Sequence, residues 1–329
     1  MHVKKTRNFL FDNLKALLIF LVIFGHILEL FLKNSNFQLI YSVIYSFHMP
    51  AFVFIAGYFA KNIEKQENSL VFDFLFPYVI INSLYQIIVF RSLTINLFLP
   101  NYVYWYLLSL FFWKLLLKKI IQIRFVFLFS ILLSLYCGFF DDVSRYLSIS
   151  RTLVFLPYFL AGYFFKEETI SDIKKKSKFF GIILFSLALS VVLIIFKNDL
   201  IPFEILKGAD SYKDLHLSLF IGFLSRIVLL IIGLAFIISF INLISEKEFK
   251  LTYIGKRTLV IYLLHPFFIP IVKKIDLILE FDNQYYGIII CLLITASITM
   301  LLSIRQFTEY YNYFFSGICK IFDKKHIIN

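Results

Sequence analysis

The sequence feature that most constrains the fold is the apolar run DNLKALLIFLVIFGHILE at residues 12–29. A bilayer's hydrocarbon core of about 30 Å takes roughly 20 helical residues, so this run can enter it. The run nevertheless carries Asp12, Lys15, His26 and Glu29. At about 100° per residue of an α-helix, all four fall on one side. Ionisable groups in a span are costly and usually face a protein interior or a wet cavity, so this polar stripe predicts a functional site.

Composition extends this membrane interpretation to the whole chain. Of its 329 residues, 60% are hydrophobic and the mean hydropathy is +0.83, whereas soluble chains are about half apolar. We predict an all-α polytopic membrane protein with a single domain over residues 1–329. Its ten predicted spans are approximately 11–32, 38–60, 70–90, 97–117, 125–140, 149–165, 179–197, 216–244, 254–272 and 284–304.

The net charge of +12 would suggest nucleic-acid binding in a soluble protein. Here the basic residues concentrate in short loops, and the loops on the side of the N-terminus carry more than twice as many as the others. By the positive-inside rule, we expect both termini in the cytoplasm, a multi-pass protein of the bacterial cell membrane and no nucleic-acid partner. The three cysteines form no CxxC pair, which argues against a zinc site or a disulfide framework.

The second predicted span carries a polar stripe of its own. Tyr41, Tyr45 and His48 are spaced by four and three residues, which places them on one helix face. Pro50 cannot donate a backbone hydrogen bond and frees the carbonyl of Ser46, so we expect a kink beside His48.

The ninth predicted span repeats the arrangement with Thr258, Tyr262 and His265. Pro266 predicts a second kink. The depths of His26, His48 and His265 are all expected to be near the middle of the membrane. Each histidine alone could be a packing residue that hydrogen-bonds a neighbouring helix. Three at similar depth, two of them beside prolines, favour a shared cavity.

Two arginines lie too deep to be loop charges. Arg226 is about ten residues into the eighth predicted span, and Arg151 opens the sixth. Either guanidinium could contact an anionic or polar ligand. Alternatively, Arg226 could contact carbonyls or a carboxylate that close the helix bundle.

The polar groups of the first run have simpler interpretations as well. A carboxylate such as Asp12 suits a helix N-terminus, and Lys15 can extend to the headgroups. Glu29 could be an interfacial carboxylate, or it could orient the His26 imidazole as the acid of a triad does.

Several segments together resemble the acyltransferase-3 family of integral membrane acyltransferases, in particular the branch related to fucose 4-O-acetylase. They run in the family's order over nearly the whole chain. The segments are D-x-x-K-x(10)-H at Asp12, Lys15 and His26; FHMPAFVFIAGY at 47–58; LFPY at 75–78; WYLLSLFFW at 105–113; SRTLVFLPYFLAGY at 150–163; and YIGKRTLVIYLLHPF at 253–267.

The resemblance implies acyl transfer, acetyl transfer in particular, from a cytoplasmic acyl-CoA to a hydroxyl of a cell-surface or lipid-linked glycan. The family's basic-residue-x(10)-His pair maps onto Lys15 and His26. Asp12 and His48 complete the catalytic set that we predict, with His26 as general base or acyl relay. Substrate contacts are predicted at His265, Arg151, Arg226, Tyr262 and Glu29.

One departure from the family concerns the donor. Many members carry an Arg-x-x-Arg element before the third span, whereas this chain reads SLVFDFLFPY there, without arginine. Contacts to the phosphates of acetyl-CoA, a donor substrate and not a bound cofactor, are therefore expected from other basic residues. The candidates are Lys118, Lys119, Lys256, Arg257, Lys61 and Lys65.

Two other function classes stay open on the residues alone. Spans broken by proline near the midplane also suit a transporter or flippase of a polar lipid or glycan. The chain could also be a non-catalytic partner in a glycan-assembly complex. Consumption of labelled acetyl-CoA distinguishes an enzyme from both.

Overall fold

A computed structural model describes residues 8–62, 70–141, 145–276 and 284–322 of the chain. Over these residues the protein is helical and contains no β-strand. In these described ranges, fifteen α-helices, named α1 to α15 in chain order, are joined by turns and loops, several of which contain a 3-10 turn. They are Leu10–Leu28, Ser35–Tyr45, His48–Tyr58, Phe76–Val89, Trp105–Ile120, Val126–Tyr136, Ile149–Phe164, Glu167–Lys175, Lys178–Lys197, Leu219–Leu243, Thr252–Gly255, Thr258–Leu264, Ile269–Asp276, Gln284–Leu302 and Arg305–Phe322.

Seven helical segments in the described part of the chain are long and apolar enough to cross a membrane. The remaining three predicted spans are shorter or broken helices. They are the 16-residue α5, the apolar helix Val126–Phe139, and a segment broken into α11, α12 and α13. The predicted count of ten spans therefore stays a prediction. The seven segments are Leu10–Phe31, Ser35–Lys61, Val71–Val89, Tyr146–Phe164, Lys178–Lys197, Leu219–Leu243 and Tyr285–Leu302.

Loop contacts divide the molecule into two ends. At the end that holds the N-terminus, the Asn13 side chain donates to the carbonyl of Ser245 at 2.8 Å, and Lys61 donates to the carbonyl of Phe165. At the opposite end, Arg145 and Asp210 form an ion pair at 2.9 Å. We call these the N-terminal end and the opposite end of the molecule.

The helix α1 lies at the centre of the fold. It packs against α2, α3, α11 and α14. Its apolar residues Leu10, Leu18, Ile23 and Ile27 are completely buried. Their packing holds the helix inside the bundle although it also carries ionisable side chains. The backbone of Gly255 approaches α1 so closely that a β-carbon there would lie 1.7 Å from the carbonyl oxygen of Asp12.

Both proline-associated kinks are confirmed as helix breaks. The second span is interrupted at Ser46 and Phe47, where the φ of Phe47 is −136°, so α3 begins at His48. The ninth is interrupted by a 3-10 turn, His265–Phe267, between α12 and α13. Each break therefore falls at or next to a histidine that the sequence had singled out.

The helices α3 and α7 pack together at two glycines. A β-carbon on Gly57 would lie 1.9 Å from the carbonyl oxygen of Phe159, and one on Gly162 would lie 1.9 Å from that of Phe54. Only glycine permits this close backbone approach. The contact fixes α3, with His48, against α7, which carries Arg151.

Candidate active site

A cavity of about 620 Å³ runs beside α1 and reaches towards both ends of the molecule. Lys15, Phe59 and Thr258 line it towards the N-terminal end, and Arg145 and Asp210 line it at the opposite end. Both His26 and His48 line the cavity between these ends. Aromatic side chains make up much of the remaining wall; they include Tyr45, Phe52, Tyr102, Trp105, Tyr106, Phe155 and Tyr262.

The imidazole of His26 is held by polar partners at its Nδ1 atom. Glu29 Oε2 lies 3.3 Å from this nitrogen and the hydroxyl oxygen of Tyr45 lies 3.1 Å from it. An ionised carboxylate only accepts hydrogen bonds, so we assign the proton of the neutral ring to Nδ1. This tautomer leaves a lone pair on Nε2, the form that a general base or a nucleophile requires.

The carboxylate of Glu29 is itself held at both oxygens. The Tyr102 hydroxyl donates to Oε2 at 3.0 Å and the Tyr41 hydroxyl donates to Oε1 at 3.5 Å. The ammonium group of Lys207 lies 3.0 Å from Oε1. Of the two roles left open for Glu29, these contacts favour the one in which it orients and charge-balances His26.

The two histidines at the helix breaks share one hydrogen-bond arrangement. The Nδ1 atom of His48 donates to the carbonyl of Ile44 at 2.9 Å, and Nδ1 of His265 donates to the carbonyl of Ile261 at 3.1 Å. In a neutral ring the remaining Nε2 atom can then only accept. His48, which lines the cavity, therefore suits a contact to a hydroxyl group, whereas donation to a carbonyl would require the charged imidazolium form. His265 does not line the cavity, so its predicted substrate contact is not seen in this structure.

The rings of His26 and His265 stack on each other, with centroids 5.5 Å apart and planes inclined by 23°. His265 is completely buried behind His26, and its Nε2 atom has no hydrogen-bond partner among the described residues. The rings of His26 and His265 are therefore in contact, but of the three histidines predicted to share a cavity only His26 and His48 line this one. The expected midplane depth stays a prediction; His26 lies sixteen residues from Leu10, where α1 begins, and five from Phe31.

The Lys15 ammonium lines the cavity and forms an ion pair with Asp12 Oδ1 at 3.0 Å. His26 follows Lys15 after eleven residue steps, which corresponds to about 16 Å along the helix axis. The two members of the predicted motif therefore act at different places in the cavity. Asp12 is buried and holds the lysine in place.

Arg151 and Tyr262 both line the cavity. The Arg151 guanidinium lies over the Trp105 ring, 5.2 Å from its centroid, and its Nε donates to the carbonyl of Lys207 at 3.3 Å. The Tyr262 hydroxyl donates to the carbonyl of Val103, so its ring, not its hydroxyl, is available to a substrate.

Arg226 is buried, and it does not line this cavity. Its Nη1 atom donates to the carbonyl of Ser134 at 3.0 Å, and Nη2 donates to the carbonyl of Asp210 at 3.0 Å. The guanidinium also lies over the Tyr212 ring. These contacts match the interpretation in which Arg226 closes the bundle through backbone carbonyls.

The basic residues predicted to bind the donor phosphates lie outside the cavity wall. Lys256 forms an ion pair with Glu248 at 2.7 Å, and Arg257 donates to the carbonyl of Ser303. Lys118 and Lys119 are at the end of α5. Lys65 lies outside the described residues. Of the predicted basic residues at the N-terminal end, the structure brings Lys15 into the cavity.

Two contacts of the site were not predicted from the sequence. Tyr102 donates a hydrogen bond to Glu29 but belongs to no polar stripe that the sequence shows. Lys207 lies in the long loop after α9, and nothing in its spacing relates it to Glu29. Tyr41 and Tyr45, by contrast, share the polar stripe with His48, so the sequence did point to them.

Comparison with known proteins gives one family match over most of the chain and one match to a relative over a short segment. The family model described as Acyltransferase domain matches residues 8–304. Nodulation protein NolL of Sinorhizobium fredii (strain NBRC 101917 / NGR234) is 44% identical to the chain over 59 residues. That match covers 17% of this chain and 16% of NolL, so the chain matches only a small part of this relative's length. No solved structure matches the chain.

Proposed function

The chain belongs to the acyltransferase-3 family, and we propose that this membrane acyltransferase transfers an acetyl group from acetyl-CoA to a hydroxyl of a glycan. The motif segments favour the branch related to fucose 4-O-acetylase. The observation that carries the proposal is the His26–Glu29 pair. It lies in a cavity that reaches Lys15 at one end and the charged residues Arg145 and Asp210 at the other, which we call the mouth. We also propose the bacterial cytoplasmic membrane as its location.

The two ends of the cavity suit different substrates. The loops near the N-terminus are rich in lysine and arginine, which supports a cytoplasmic N-terminal end. Coenzyme A is polyanionic, so we propose that its phosphates stay near that end. Its long pantetheine arm would carry the thioester past Lys15 towards His26. The glycan hydroxyl would enter from the opposite end.

The transfer step follows from the tautomer of His26. Nε2 removes the proton of the acceptor hydroxyl while the oxygen attacks the thioester carbonyl carbon. The tetrahedral intermediate collapses with cleavage of the C–S bond, and the imidazolium returns its proton to the leaving thiolate. Glu29 stabilises the transient imidazolium through Nδ1. The products are an O-acyl ester and free coenzyme A.

Lys15 has a separate task in this scheme. At about 16 Å along the axis from His26, it cannot reach the reacting carbonyl, because a lysine side chain is much shorter than that distance. We propose that its ammonium group binds the donor along the pantetheine arm or at a phosphate. His48 would accept a hydrogen bond from an acceptor hydroxyl through Nε2.

The test measures transfer of label from acetyl-CoA into glycan by the protein in lipid nanodiscs. His26→Asn should abolish transfer, because asparagine cannot act as a base. His216→Asn is the matched control, since His216 is exposed in the loop after α9. Full transfer by a folded His26→Asn protein would overturn the assignment.

The same measurement separates the other function classes. A transporter would move its cargo without consuming acetyl-CoA, and a non-catalytic partner would leave surface acylation intact after His26→Asn. Mass spectrometry of cell-surface glycans with and without this gene then identifies the acceptor. A mass difference of one acetyl group is the result that the proposal requires.

A further inference from the structure

The charged side chains at the opposite end of the cavity do not all pair with one another. Arg145 pairs with Asp210 at 2.9 Å, and Lys207 pairs with Glu29 at 3.0 Å. Arg151 lines the same part of the cavity, yet no carboxylate of the described residues lies within 4 Å of its guanidinium nitrogens. Among the described residues, Arg151 is therefore the cation at this end that forms no ion pair, although the carboxylates of Asp210 and Glu29 still attract it from a greater distance.

The position of this guanidinium also suits ligand binding. Within the described ranges, its Nε atom alone is hydrogen-bonded to the protein, through the bond to the carbonyl of Lys207. The guanidinium lies over the Trp105 ring, which is in turn stacked on Phe155 with centroids 5.3 Å apart. Stacking over an aromatic ring orients a guanidinium and leaves its Nη edge free for planar, bidentate contacts.

Bidentate arginine contacts match carboxylate and phosphate groups. A cation in a partly enclosed cavity is costly unless an anion or polar groups solvate it, so an anionic ligand would gain most there. We propose that Arg151 forms a subsite for an oxyanion of the acceptor, so that the enzyme acylates an acidic glycan. This inference rests on the proposed function, because it names the class of acceptor.

Residues near Arg151 would contact other parts of the acceptor. Tyr102 and Tyr106 provide aromatic walls for the apolar faces of a sugar ring. Glu204 also lines the mouth without an ion-pair partner in the described part of the chain. Its carboxylate would accept hydrogen bonds from sugar hydroxyls, while Arg151 binds the acidic group.

The experiment compares binding of matched glycosides to the protein in nanodiscs by saturation-transfer NMR. The probes are methyl glucoside, methyl glucuronide and methyl glucoside 6-phosphate, which differ only in the anionic group. We expect at least a tenfold lower Kd for one anionic glycoside than for the neutral one. Tighter binding of methyl glucuronide would indicate an acceptor with a carboxylate, and tighter binding of methyl glucoside 6-phosphate would indicate one with a phosphate.

Variants connect the preference to Arg151. Arg151→Gln should bring the Kd of the anionic glycoside up to that of the neutral one, and Arg151→Lys should retain part of the preference. Lys213→Gln is the matched control, because Lys213 is 82% exposed, already paired with Asp141 and not part of the cavity wall. Equal Kd values for all three glycosides, or a preference that survives Arg151→Gln, would overturn the proposal. Thermal unfolding confirms that each variant is folded.

Labelled acetyl-CoA consumption by the same preparations separates this inference from the proposed function. Transfer without anion preference would contradict the subsite alone. Anion preference without transfer would contradict the acyltransferase mechanism and leave the subsite intact.

Discussion

The ammonium group of Lys207 lies 3.0 Å from Oε1 of Glu29, and the other oxygen of this carboxylate contacts His26. Lys207 belongs to a 3-10 turn, Phe203–Lys207, in the loop after α9. The turn is anchored on α7, because Ser150 donates to the carbonyl of Gly208 at 2.9 Å. The geometry of the catalytic pair therefore depends on a loop that is distant in sequence.

Lys207→Met should lower kcat without unfolding the protein. Methionine keeps the length of the side chain but removes the charge that fixes Glu29. Glu29 would keep its hydrogen bonds from Tyr41 and Tyr102, so we expect a loss of about tenfold, which corresponds to about 1.4 kcal/mol in the barrier. Steady-state kinetics with labelled acetyl-CoA provide the measurement.

Lys213→Met is the matched control for that variant. Lys213 lies in the same loop and pairs with Asp141 at 2.9 Å, but it is 82% exposed. Its hydrogen bond, with one from Ser211, lowers the pKa of the Asp141 carboxyl below its usual value. Exposed ion pairs contribute little, so kcat should not change. If Lys207→Met and Lys213→Met lowered kcat equally, the loop would act through its overall positive charge and not through the contact between Lys207 and Glu29.

Glu29→Gln should have a larger effect on kcat than Lys207→Met. The amide keeps the size of the side chain but cannot stabilise the imidazolium. Its NH₂ group can also donate to Nδ1, which would move the ring proton to Nε2 and remove the base. We expect a loss of about 10²–10⁴-fold, the usual contribution of general acid–base catalysis. An unchanged KM for acetyl-CoA would show that donor binding survives.

Glu248→Gln provides the control for this charge loss. Glu248 is half exposed at the N-terminal end and pairs with Lys256. The substitution should leave kcat unchanged. If Glu29→Gln retained full kcat, Glu29 would be an interfacial carboxylate and not a partner in catalysis.

The polar stripe of α1 could be predicted from the sequence because helical periodicity is a local property. Asp12, Lys15, His26 and Glu29 lie on one helix, so their spacing alone placed them on one side. The breaks at His48 and His265 were equally local, since a proline removes a backbone donor wherever the helix lies. These predictions needed no knowledge of the neighbouring helices.

The partners of Glu29 could not be predicted, because they come from distant parts of the chain. Lys207 and Tyr102 reach Glu29 only after α7 and the loop after α9 have packed. Periodicity also could not decide between the two interpretations of Arg226, because depth alone does not show what a guanidinium contacts.

Gly57→Ala should destabilise the bundle. The added β-carbon would lie 1.9 Å from the carbonyl oxygen of Phe159, so α3 and α7 would have to separate. Overpacking of this kind costs about 1–3 kcal/mol. We expect a lower Tm in nanodiscs and weaker activity, because His48 and Arg151 lie on the two helices.

Gly317→Ala is the control for that prediction. A β-carbon at Gly317 would meet no atom within 4 Å, and alanine favours a helix over glycine by up to about 1 kcal/mol. The Tm should stay the same or rise slightly. An unchanged Tm for Gly57→Ala as well would mean that the helices tolerate a wider separation.

Arg226→Gln should lower stability while leaving the chemistry intact. The guanidinium holds the carbonyls of Ser134 and Asp210 at 3.0 Å each, and glutamine cannot reach both. Each buried carbonyl left without a donor costs about 1–3 kcal/mol, so the Tm should fall. At temperatures where the variant is folded, kcat should be near that of the original protein, because Arg226 does not line the cavity.

Arg151→Gln provides the comparison for Arg226→Gln. Arg151 lines the cavity and makes one hydrogen bond to the backbone, so its loss should raise the acceptor KM with little change in Tm. Arg226→Gln should thus change the stability of the protein, whereas Arg151→Gln should change its binding of the acceptor. A lost kcat with an unchanged Tm for Arg226→Gln would instead make Arg226 part of the substrate site.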